Sequence, residues 1–350
     1  MGIEYYRLDR ILPHKCTFNV LLGQRANGKS YAVKEECVKE AFLGMGDLIY
    51  LRRWHLELKQ DDVIDYFADC PVGQITGGEY TTIDVYRSRI YLANQNDDGT
   101  IARGRCIGRT ADLAGATHLK SVIKRGQYKN VIFEEFCTDG GYLRNEPNIL
   151  MQLIATIFGV QYSGRVWLIG NTVSRYNPYF YQWSLKSLKN MKPGDIDIYR
   201  YMDGDKEVSI AVEFCSALNI DSGMFIGEAK ANITTGVWET QAQPQVPDSF
   251  GKFTVIYNVE IERQDFRFIL KIIQNKEKER LILCTNANEK ETCRRKVTDR
   301  IDGNPMHTSK LIPLTGGDAL TLELIRRGKL VYANNLVGTD FQAILKDVAI

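Results

Sequence analysis

The sequence predicts an α/β protein in two parts, in which a parallel β-sheet covered by helices precedes a smaller α+β domain. Through the first 200 residues, short apolar runs typical of strands alternate with segments of helical apolar spacing. That order places successive strands side by side in a parallel sheet. From Phe250 onward the strand-like runs are longer and follow one another directly, which indicates a separate α+β unit.

Local patterns predict the individual elements. Short apolar runs predict core strands over residues 17–22, 48–53, 131–136 and 165–171. Helical apolar spacing predicts helices after Ser30 and over residues 147–158, and alternation around Arg87-Ser88 predicts a hairpin over residues 81–92. In the last part, strands are predicted over 253–261, 266–273 and 280–284, and a helix over 340–348.

The domain boundary is predicted from a change in composition. A turn signal at residues 202–205 is followed by one more strand-like run and then by a polar stretch that ends in the Pro-rich residues 241–247. We therefore assign residues 1–215 to the first domain, 216–248 to a linker segment and 249–350 to the second domain.

The overall composition excludes several protein classes. The 350 residues are 44% hydrophobic and 25% charged, as in an ordinary soluble protein. No apolar stretch approaches the roughly 20 residues that span a bilayer, and the start MGIEYYRLDR lacks the apolar core of a signal peptide. We therefore expect a cytoplasmic protein with no membrane partner.

The cysteine spacing does not indicate a zinc site, and the net charge does not by itself indicate nucleic-acid binding. The eight cysteines form no C-x-x-C pair, which favours neither a zinc site nor a disulfide framework. A net charge of +2 is too small to indicate nucleic-acid binding by itself. Basic runs at residues 120–129, 294–296 and 326–329 are more often solvated faces than binding sites.

A glycine-rich turn follows the first predicted strand and matches every fixed position of the P-loop pattern G-x-x-x-x-G-K-[ST]. Its residues are Gly23, Gln24, Arg25, Ala26, Asn27, Gly28, Lys29 and Ser30, with Tyr31 directly after them. In this pattern backbone amides and the helix amino terminus surround phosphate oxygens, the lysine reaches the terminal phosphates and the hydroxyl ligates Mg²⁺. The turn predicts that the protein binds ATP with Mg²⁺.

Hydrolysis needs a second, acidic strand end, and residues 131–136 provide one. Two consecutive carboxylates close this apolar run. Because successive strand side chains point opposite ways, we predict Glu134 as the Mg²⁺ ligand and Glu135 as the catalytic base. The alternative is that two glutamates merely end a surface strand. A P-loop with such an acidic strand predicts a P-loop NTPase of the ASCE type.

Two further strand ends carry candidate site residues. Asn171 closes the strand 165–171 and is a candidate sensor of the γ-phosphate, although a plain turn residue fits the pattern equally well. Arg52 and Arg53 close another core strand at the edge where α/β sheets bind ligands. They are candidates for contact with phosphate, DNA or a neighbouring subunit, or for surface salt bridges.

Several of these segments together resemble the DNA-encapsidation ATPases of small podovirus-type tailed phages. The resemblance spans most of the chain. It rests on the P-loop, on Arg52-Arg53, on Glu134-Glu135 and on the run from Asn171 to Phe180, with residues 225–227 and 253–258 extending it downstream. The double arginine and the Asn177-Pro178-Tyr179-Phe180 run are the most specific in combination.

The resemblance implies a motor that drives double-stranded DNA into a preformed capsid by Mg²⁺-dependent ATP hydrolysis. Such motors are rings of identical subunits, commonly five, that dock on the phage portal through a packaging RNA in the host cytoplasm. Lys120 resembles the lysine that one subunit inserts into the neighbouring site. The arginine finger of the family is missing at its usual place, since Gly159 follows Phe158, and Arg165 is the first substitute, before Arg125 and Arg144. Glu134 stands where the family more often has aspartate.

For the second domain, the resemblance implies a ribonuclease H-type fold that has lost its metal site. Five acidic residues are candidates for a metal cluster, but their spacing matches no two-metal pattern and solvated faces are the better interpretation: Glu260, Glu262, Asp265, Asp299 and Asp318. A basic surface that contacts the nucleic-acid backbone is expected instead, at Arg294, Arg295, Lys296 and Arg300.

Two other functions fit the same sequence. One is a large-terminase-type motor with an active nuclease, which would cleave DNA with Mg²⁺ or Mn²⁺. The other is a nucleotide-gated adaptor that docks on a portal or RNA without turnover. In the adaptor, Glu135→Gln would leave the hydrolysis rate unaltered.

Overall fold

The structure of the protein is a computed structural model that describes residues 5–119, 123–124, 126–138, 141–159, 164–172, 175–203, 206–216, 241–264, 266–288, 291–300 and 302–345. These residues form two compact units. The first holds the described residues up to 172 and from 178 to 216, and the second holds 175–177 and 241–345. Most of the predicted linker, 216–248, lies outside the described residues, so its boundaries stay a prediction.

In the first unit the strands are short and most are apolar. They are β1 (Phe18–Gly23), β2 (Asp47–Arg52), β3 (Thr82–Tyr86), β4 (Arg89–Gln95), β5 (Ile101–Asp112), β6 (Tyr128–Glu134), β7 (Arg165–Asn171), β8 (Ile196–Asp203) and β9 (Lys206–Phe214). The helices are α1 (Lys29–Phe42), α2 (Gln60–Phe67), α3 (Val72–Ile75), α4 (Ala116–Leu119), α5 (Glu146–Phe158) and α6 (Pro178–Gln182).

These strands form one sheet in the order β3-β4-β5-β2-β6-β7-β1-β9-β8. The central part, from β5 to β9, is parallel throughout. The predicted hairpin is present as the antiparallel pair β3 and β4. Its turn residues Arg87 and Ser88 both have positive φ, as a two-residue hairpin of primed type requires. The predicted mixed α/β fold with a parallel-rich sheet is confirmed.

Both faces of the parallel sheet are buried, which explains why its strands read as continuous apolar runs. In β6, Val131 and Phe133 pack on the side covered by α5, whereas Ile132 packs on the side covered by α1. The ends of the parallel strands are therefore the places where polar side chains can gather, and β1, β6 and β7 all end at the same edge.

In its described residues, the second unit is a mixed sheet with two α-helices. Its strands are β10 (Phe253–Arg263), β11 (Phe266–Asn275), β12 (Arg280–Asn286), β13 (Lys296–Thr298), β14 (His307–Thr308) and β15 (Leu330–Tyr332), in the order β14-β13-β10-β11-β12-β15. β10, β11 and β12 are antiparallel, whereas β13, β14 and β15 each join in parallel. Helices α7 (Gly316–Arg326) and α8 (Asn335–Leu345) contribute to the apolar core.

No helix within the described ranges combines the length and the apolar character that crossing a bilayer demands.

Candidate active site

The glycine-rich turn between β1 and α1 lies at the carboxyl edge of the parallel sheet. Gly28 caps α1 with a φ of 95°, and Ala26 also has a positive φ, of 57°. A Cβ on Gly28 would lie 3.1 Å from the Cβ of Tyr5, so glycine is needed there for both its φ and its size. The turn presents backbone N–H groups and the amino terminus of α1, both of which favour an anion.

Lys29 begins α1, and its ammonium group folds back over the turn. Nζ donates to the carbonyl oxygen of Gln24 at 2.6 Å and to Oδ1 of Asn27 at 3.0 Å. Burial lowers the pKa of Lys29. Among the described residues, Nδ2 of Asn27 is a buried donor without a hydrogen-bond partner. A buried ammonium beside an unpaired amide donor suits the oxygens of a phosphate chain.

A pocket of about 990 Å³ opens over this turn. Small-molecule sites commonly have volumes of about 300–1,000 Å³, so the pocket is large enough for a nucleotide. Its walls come from the turn and from the adjoining ends of helices and strands: Tyr5, residues 25–31, Lys34, Arg52, Asp65, Tyr66, Asp69, Glu134, Glu135 and residues 169–171. The P-loop and the two carboxylates therefore line one cavity.

Glu134 is the last residue of β6 and is 7% exposed. Its Oε1 accepts a hydrogen bond of 2.8 Å from the hydroxyl of Tyr66. Burial raises the pKa of Glu134, and hydrogen bonds with Ser30 and Tyr66 oppose that rise. A carboxylate and a serine hydroxyl in contact form an oxygen donor pair of the kind that Mg²⁺ takes in nucleotide sites.

Glu135 lies beyond the end of β6, with a φ of 54°, and its side chain is 61% exposed. The sequence predicts Glu135 inside a strand over 131–136 and separates the two carboxylates by strand alternation. This prediction is wrong, because β6 ends at Glu134, one residue before Glu135. A left-handed backbone at Glu135, which costs on the order of 1–3 kcal/mol for a non-glycine residue, brings both carboxylates to the same pocket.

Arg52, at the end of β2, binds Glu135. Its Nη2 lies 2.8 Å from Oε2 of Glu135 and 3.1 Å from Oε1 of Glu57. The Nε atom of Arg52 is buried and has no hydrogen-bond partner among the described residues. The sequence left open whether this arginine contacts phosphate, DNA, a neighbouring subunit or surface carboxylates. In the structure it binds carboxylates at the pocket wall.

Arg53 is not a surface arginine. It is 4% exposed, and its guanidinium binds Glu146 at 2.8 Å and 3.0 Å. The same group donates to the carbonyl oxygens of Glu135 and Phe136 at 3.1 Å and 2.8 Å. The buried ion pair of Arg53 and Glu146 therefore holds the backbone that carries Glu135.

Asn171 is the last residue of β7 and lines the pocket. β7 lies between β1 and β6, so its end stands between the P-loop and the acidic strand end. The tight packing of Gly170, where a Cβ would lie 2.9 Å from the Phe136 ring, fixes this end against the segment that follows Glu135.

Among the described candidates for a cross-subunit role, Arg165 and Arg144 do not line this pocket of their own subunit. Arg165 begins β7, so it stands about 20 Å from the pocket end of that strand. Its guanidinium pairs with Glu40 and lies 5.5 Å from the Trp167 ring centroid. Arg144 is exposed before α5. Lys120, Ser121, Arg125 and the motif at 225–227 lie outside the described residues.

In the second unit, the expectation of solvated acidic faces is wrong for Glu260, Glu262 and Asp318, which are at most 8% exposed. Nζ of Lys296 lies 2.8 Å from Oε2 of Glu262 and 3.5 Å from Oε1 of Glu260. Hydrogen bonds from Lys296 and Thr298 outweigh burial and lower the pKa of Glu262. Lys296 thus pairs with Glu262, and Glu260 is paired more closely with Arg267, whose Nε lies 2.8 Å from its Oε1. Asp265 lies outside the described residues.

The expected basic surface of this unit is also partly wrong. Arg295 is 1% exposed and donates to the carbonyl oxygen of Met306 and to the Thr308 hydroxyl, both at 2.6 Å. It is therefore a structural residue. Within the described ranges, no three His, Cys, Asp or Glu side chains are arranged to hold a metal ion.

Five further residues line the same cavity and were not predicted from the sequence: Tyr5, Lys34, Asp65, Tyr66 and Asp69. No short motif marks them, since four of them come from the middle of α1 or from around α2 and their spacing is that of ordinary amphipathic helices. The packing of α2 beside α1, through the contacts of Lys34 with Tyr66 and Asp69, brings the residues in and around α2 to the P-loop.

Comparison with known proteins places this site in context. A family model described as "Podovirus DNA encapsidation protein (Gp16)" matches residues 3–193. The DNA packaging protein of Bacillus phage B103 is 29% identical over 180 residues, which cover 51% of this chain and 49% of that protein. The DNA packaging protein of Bacillus phage phi29 is 30% identical over 191 residues, 52% of this chain and 50% of the relative. The chain thus spans about half the length of the curated relatives it matches.

A solved structure extends the likeness in fold over the whole chain. A chain from the packaging motor assembly of bacteriophage phi29 superimposes with a TM-score of 0.59 at 20% sequence identity, covering 98% of this chain and 99% of that one. At this identity the similarity is one of fold.

Proposed function

This protein belongs to the podovirus DNA encapsidation (Gp16) family, whose model covers more than half of the chain, and from that premise we propose that it is an ATP-driven motor that moves double-stranded DNA into a procapsid. One observation carries the proposal. The P-loop lysine and two carboxylates from the neighbouring acidic strand end line a single pocket of nucleotide size.

ATP is the substrate in this proposal. Its phosphates lie against the backbone amides of residues 23–30, and the ammonium of Lys29 exchanges its present contacts with Gln24 and Asn27 for phosphate oxygens. Ser30 and Glu134 are the residues that would hold Mg²⁺. When bound there, the ion would supply positive charge that offsets the charge developing on the transferred phosphoryl group.

Glu135 acts as the base that orients and deprotonates the attacking water. Its exposed carboxylate at the pocket wall is accessible to solvent, as a water-activating group must be. Asn171 senses the γ-phosphate from the end of β7, the strand that lies between the P-loop strand β1 and the acidic strand β6. The placement of β7 between β1 and β6 supports assignment to the ASCE type of P-loop NTPase.

We propose that the motor works as a homo-oligomeric ring, a pentamer, docked on the phage portal in the host cytoplasm, with a packaging RNA as a further partner. Lys120 is the proposed trans-acting cation. Arg165 is a weaker candidate, because Glu40 already pairs with it at the opposite edge of the sheet. Arg144, which is exposed, replaces it as the first candidate for an arginine finger.

For the second unit we propose a ribonuclease H-like fold without nuclease activity. The antiparallel set β12-β11-β10, with β13 and β14 joined in parallel beyond β10, supports this fold. Lys296 lies between Glu260 and Glu262, where an ammonium group opposes the entry of a divalent cation. The full chain is therefore expected to leave linear and circular DNA intact in Mg²⁺ or Mn²⁺. Cleavage that Glu262→Gln abolishes would indicate the terminase-type motor instead.

The deciding experiment measures steady-state ATP hydrolysis by the full chain, with and without double-stranded DNA. Lys29→Ala should lose nucleotide binding, whereas Glu135→Gln should keep binding and lose hydrolysis by a factor of at least about 100. Glu207→Gln, an exposed glutamate paired with Arg200, is the matched control and should retain full activity. If Glu135→Gln hydrolyses at the wild-type rate and DNA gives no stimulation, the protein is an adaptor.

A mixing experiment tests the ring. Lys120→Ala and Glu135→Gln are each expected to be inactive, and a mixture should regain hydrolysis because a Lys120→Ala subunit keeps its own base and receives the lysine of its neighbour. Full activity of Lys120→Ala alone would remove Lys120 from the site.

A further inference from the structure

A tyrosine from α2 contacts the carboxylate that faces the P-loop serine. The hydroxyl of Tyr66 donates to Oε1 of Glu134 at 2.8 Å. α2 follows β2 in the chain and is not part of the P-loop or of the acidic strand. Glu134 thus has two hydroxyl partners, Tyr66 and Ser30.

The ring of Tyr66 is fixed on three sides. It stacks on Tyr50 with centroids 4.4 Å apart, and it meets the edge of Phe67 at 4.9 Å. The ammonium of Lys34 lies 4.5 Å above the ring and also donates to the carbonyl oxygen of Tyr66 and to Asp69. Lys34 belongs to α1, the helix that begins at the P-loop. The phenol oxygen therefore has little freedom to move away from Glu134.

A glutamate at the end of β6 needs such a partner more than an aspartate would. Its side chain has one additional rotatable bond, and an unrestrained arm of this length samples several rotamers. A metal ligand that must first be ordered binds its ion more weakly, and the hydrogen-bond partners of ligating carboxylates are a recognised means of fixing them.

We propose that Tyr66 is a positioning residue: it holds one carboxylate oxygen of Glu134 and thereby leaves the other for Ser30 and a divalent cation. This inference deepens the proposed function and rests on it. The competing explanation is that the hydroxyl only helps to anchor α2 to the sheet. The two explanations differ in what removal of that hydroxyl does to metal affinity.

The test measures binding of Mn²⁺ to the full chain saturated with a non-hydrolysable ATP analogue, by the electron paramagnetic resonance signal of free Mn²⁺. Tyr66→Phe keeps the ring and removes the hydroxyl. We expect Mn²⁺ to bind at least about tenfold more weakly, while the analogue binds equally well in EDTA. The matched control is Tyr257→Phe in the second unit, which removes a similar hydrogen bond, from the Tyr257 hydroxyl to Oδ1 of Asp318 at 2.7 Å.

Tyr257→Phe should lower the thermal midpoint without changing Mn²⁺ affinity. If Tyr66→Phe behaves in the same way, Tyr66 only anchors α2 and the inference is overturned. If the wild-type chain with bound analogue takes up no Mn²⁺, it is the proposed function that fails, so the two failures are distinguishable.

A second variant tests the same idea without altering Tyr66. Glu134→Asp shortens the arm by one methylene, so the carboxylate cannot reach both the tyrosine and the cation. We expect about tenfold weaker Mn²⁺ binding in the wild-type background and a smaller loss in Tyr66→Phe, because there the contact is already absent. Unchanged Mn²⁺ affinity of Glu134→Asp, or equal losses in both backgrounds, would contradict the proposal.

Discussion

The guanidinium of Arg52 binds the carboxylate of Glu135 across the pocket wall, with Nη2 and Oε2 2.8 Å apart. Arg52 ends β2, and Glu135 follows the end of β6, the strand that pairs with β2 in the sheet. The contact joins the proposed catalytic base to a cation that is itself held by Glu57, so the position of the base depends on three chain segments.

Arg52→Ala should lower kcat by about ten- to a hundredfold with little change in the nucleotide Kd, because Glu135 loses its tether and small displacements of a reacting group are costly. ATP hydrolysis and analogue binding, measured on the same preparation, check this. Arg200→Ala is the control, since it removes an exposed arginine whose ion pair with Glu207 lies outside the pocket. An unchanged kcat in Arg52→Ala would show that the ion pair has no part in placing the base.

Gly28→Ala should weaken ATP binding by about ten- to a hundredfold, because its φ of 95° and its 3.1 Å approach to Tyr5 both exclude a side chain. Isothermal titration with an ATP analogue gives the comparison. Gly77→Ala provides a matched control, since that residue also has a positive φ, of 63°, but has no atom within 4 Å of an added Cβ. Equal affinity losses in both variants would mean that general destabilisation, not the turn, is responsible.

Arg53→Met should destabilise the first unit by about 3–5 kcal/mol, because it leaves the buried carboxylate of Glu146 without its cation. It should also reduce hydrolysis, since Arg53 holds the backbone carbonyls of Glu135 and Phe136. Urea unfolding and ATPase assays measure the two effects. The double variant Arg53→Met, Glu146→Met should lose less stability than the sum of the single variants. Additive losses would argue against a coupled buried pair.

Acid should destabilise the second unit through Glu262. The folded-state pKa of Glu262 lies below its ordinary value, so the carboxylate contributes stability above the unfolded pKa, and this contribution is lost as the pH falls through the folded pKa. Lys296→Met removes the main hydrogen bond that lowers this pKa. Urea unfolding at neutral pH and at about pH 3 should therefore show a smaller acid-induced loss in Lys296→Met than in wild type. Identical losses would assign the acid sensitivity to other groups.

Much of the fold was predictable, because the sequence signals for strands, helices and turns are local. The strand β7 was predicted with its bounds, and the hairpin at Arg87-Ser88 and the helix α5 were predicted to within a few residues. Apolar runs and turn residues report the immediate environment of a few neighbours, and a parallel sheet buried on both faces makes that environment uniform.

The predictions that went wrong depend on contacts between distant segments. Arg295 reads as part of a basic surface run, yet it is enclosed by the segment around Met306. Arg53 reads like its neighbour Arg52, yet one is buried against Glu146 and the other lines the pocket. Nothing in a single-sequence pattern distinguishes adjacent residues of the same type, because their difference is made by which element packs over each.

The sequence by itself determined the phosphate-binding turn and the existence of an acidic strand end, because each is a short motif whose chemistry needs only neighbouring residues. Only the tertiary structure decided that Glu134 and Glu135 share one pocket, that Arg52 holds the second of them and that Tyr66 reaches the first. The physical reason is that these contacts join residues 68 and 83 positions apart, and such pairings are set by strand order and helix packing, not by local spacing.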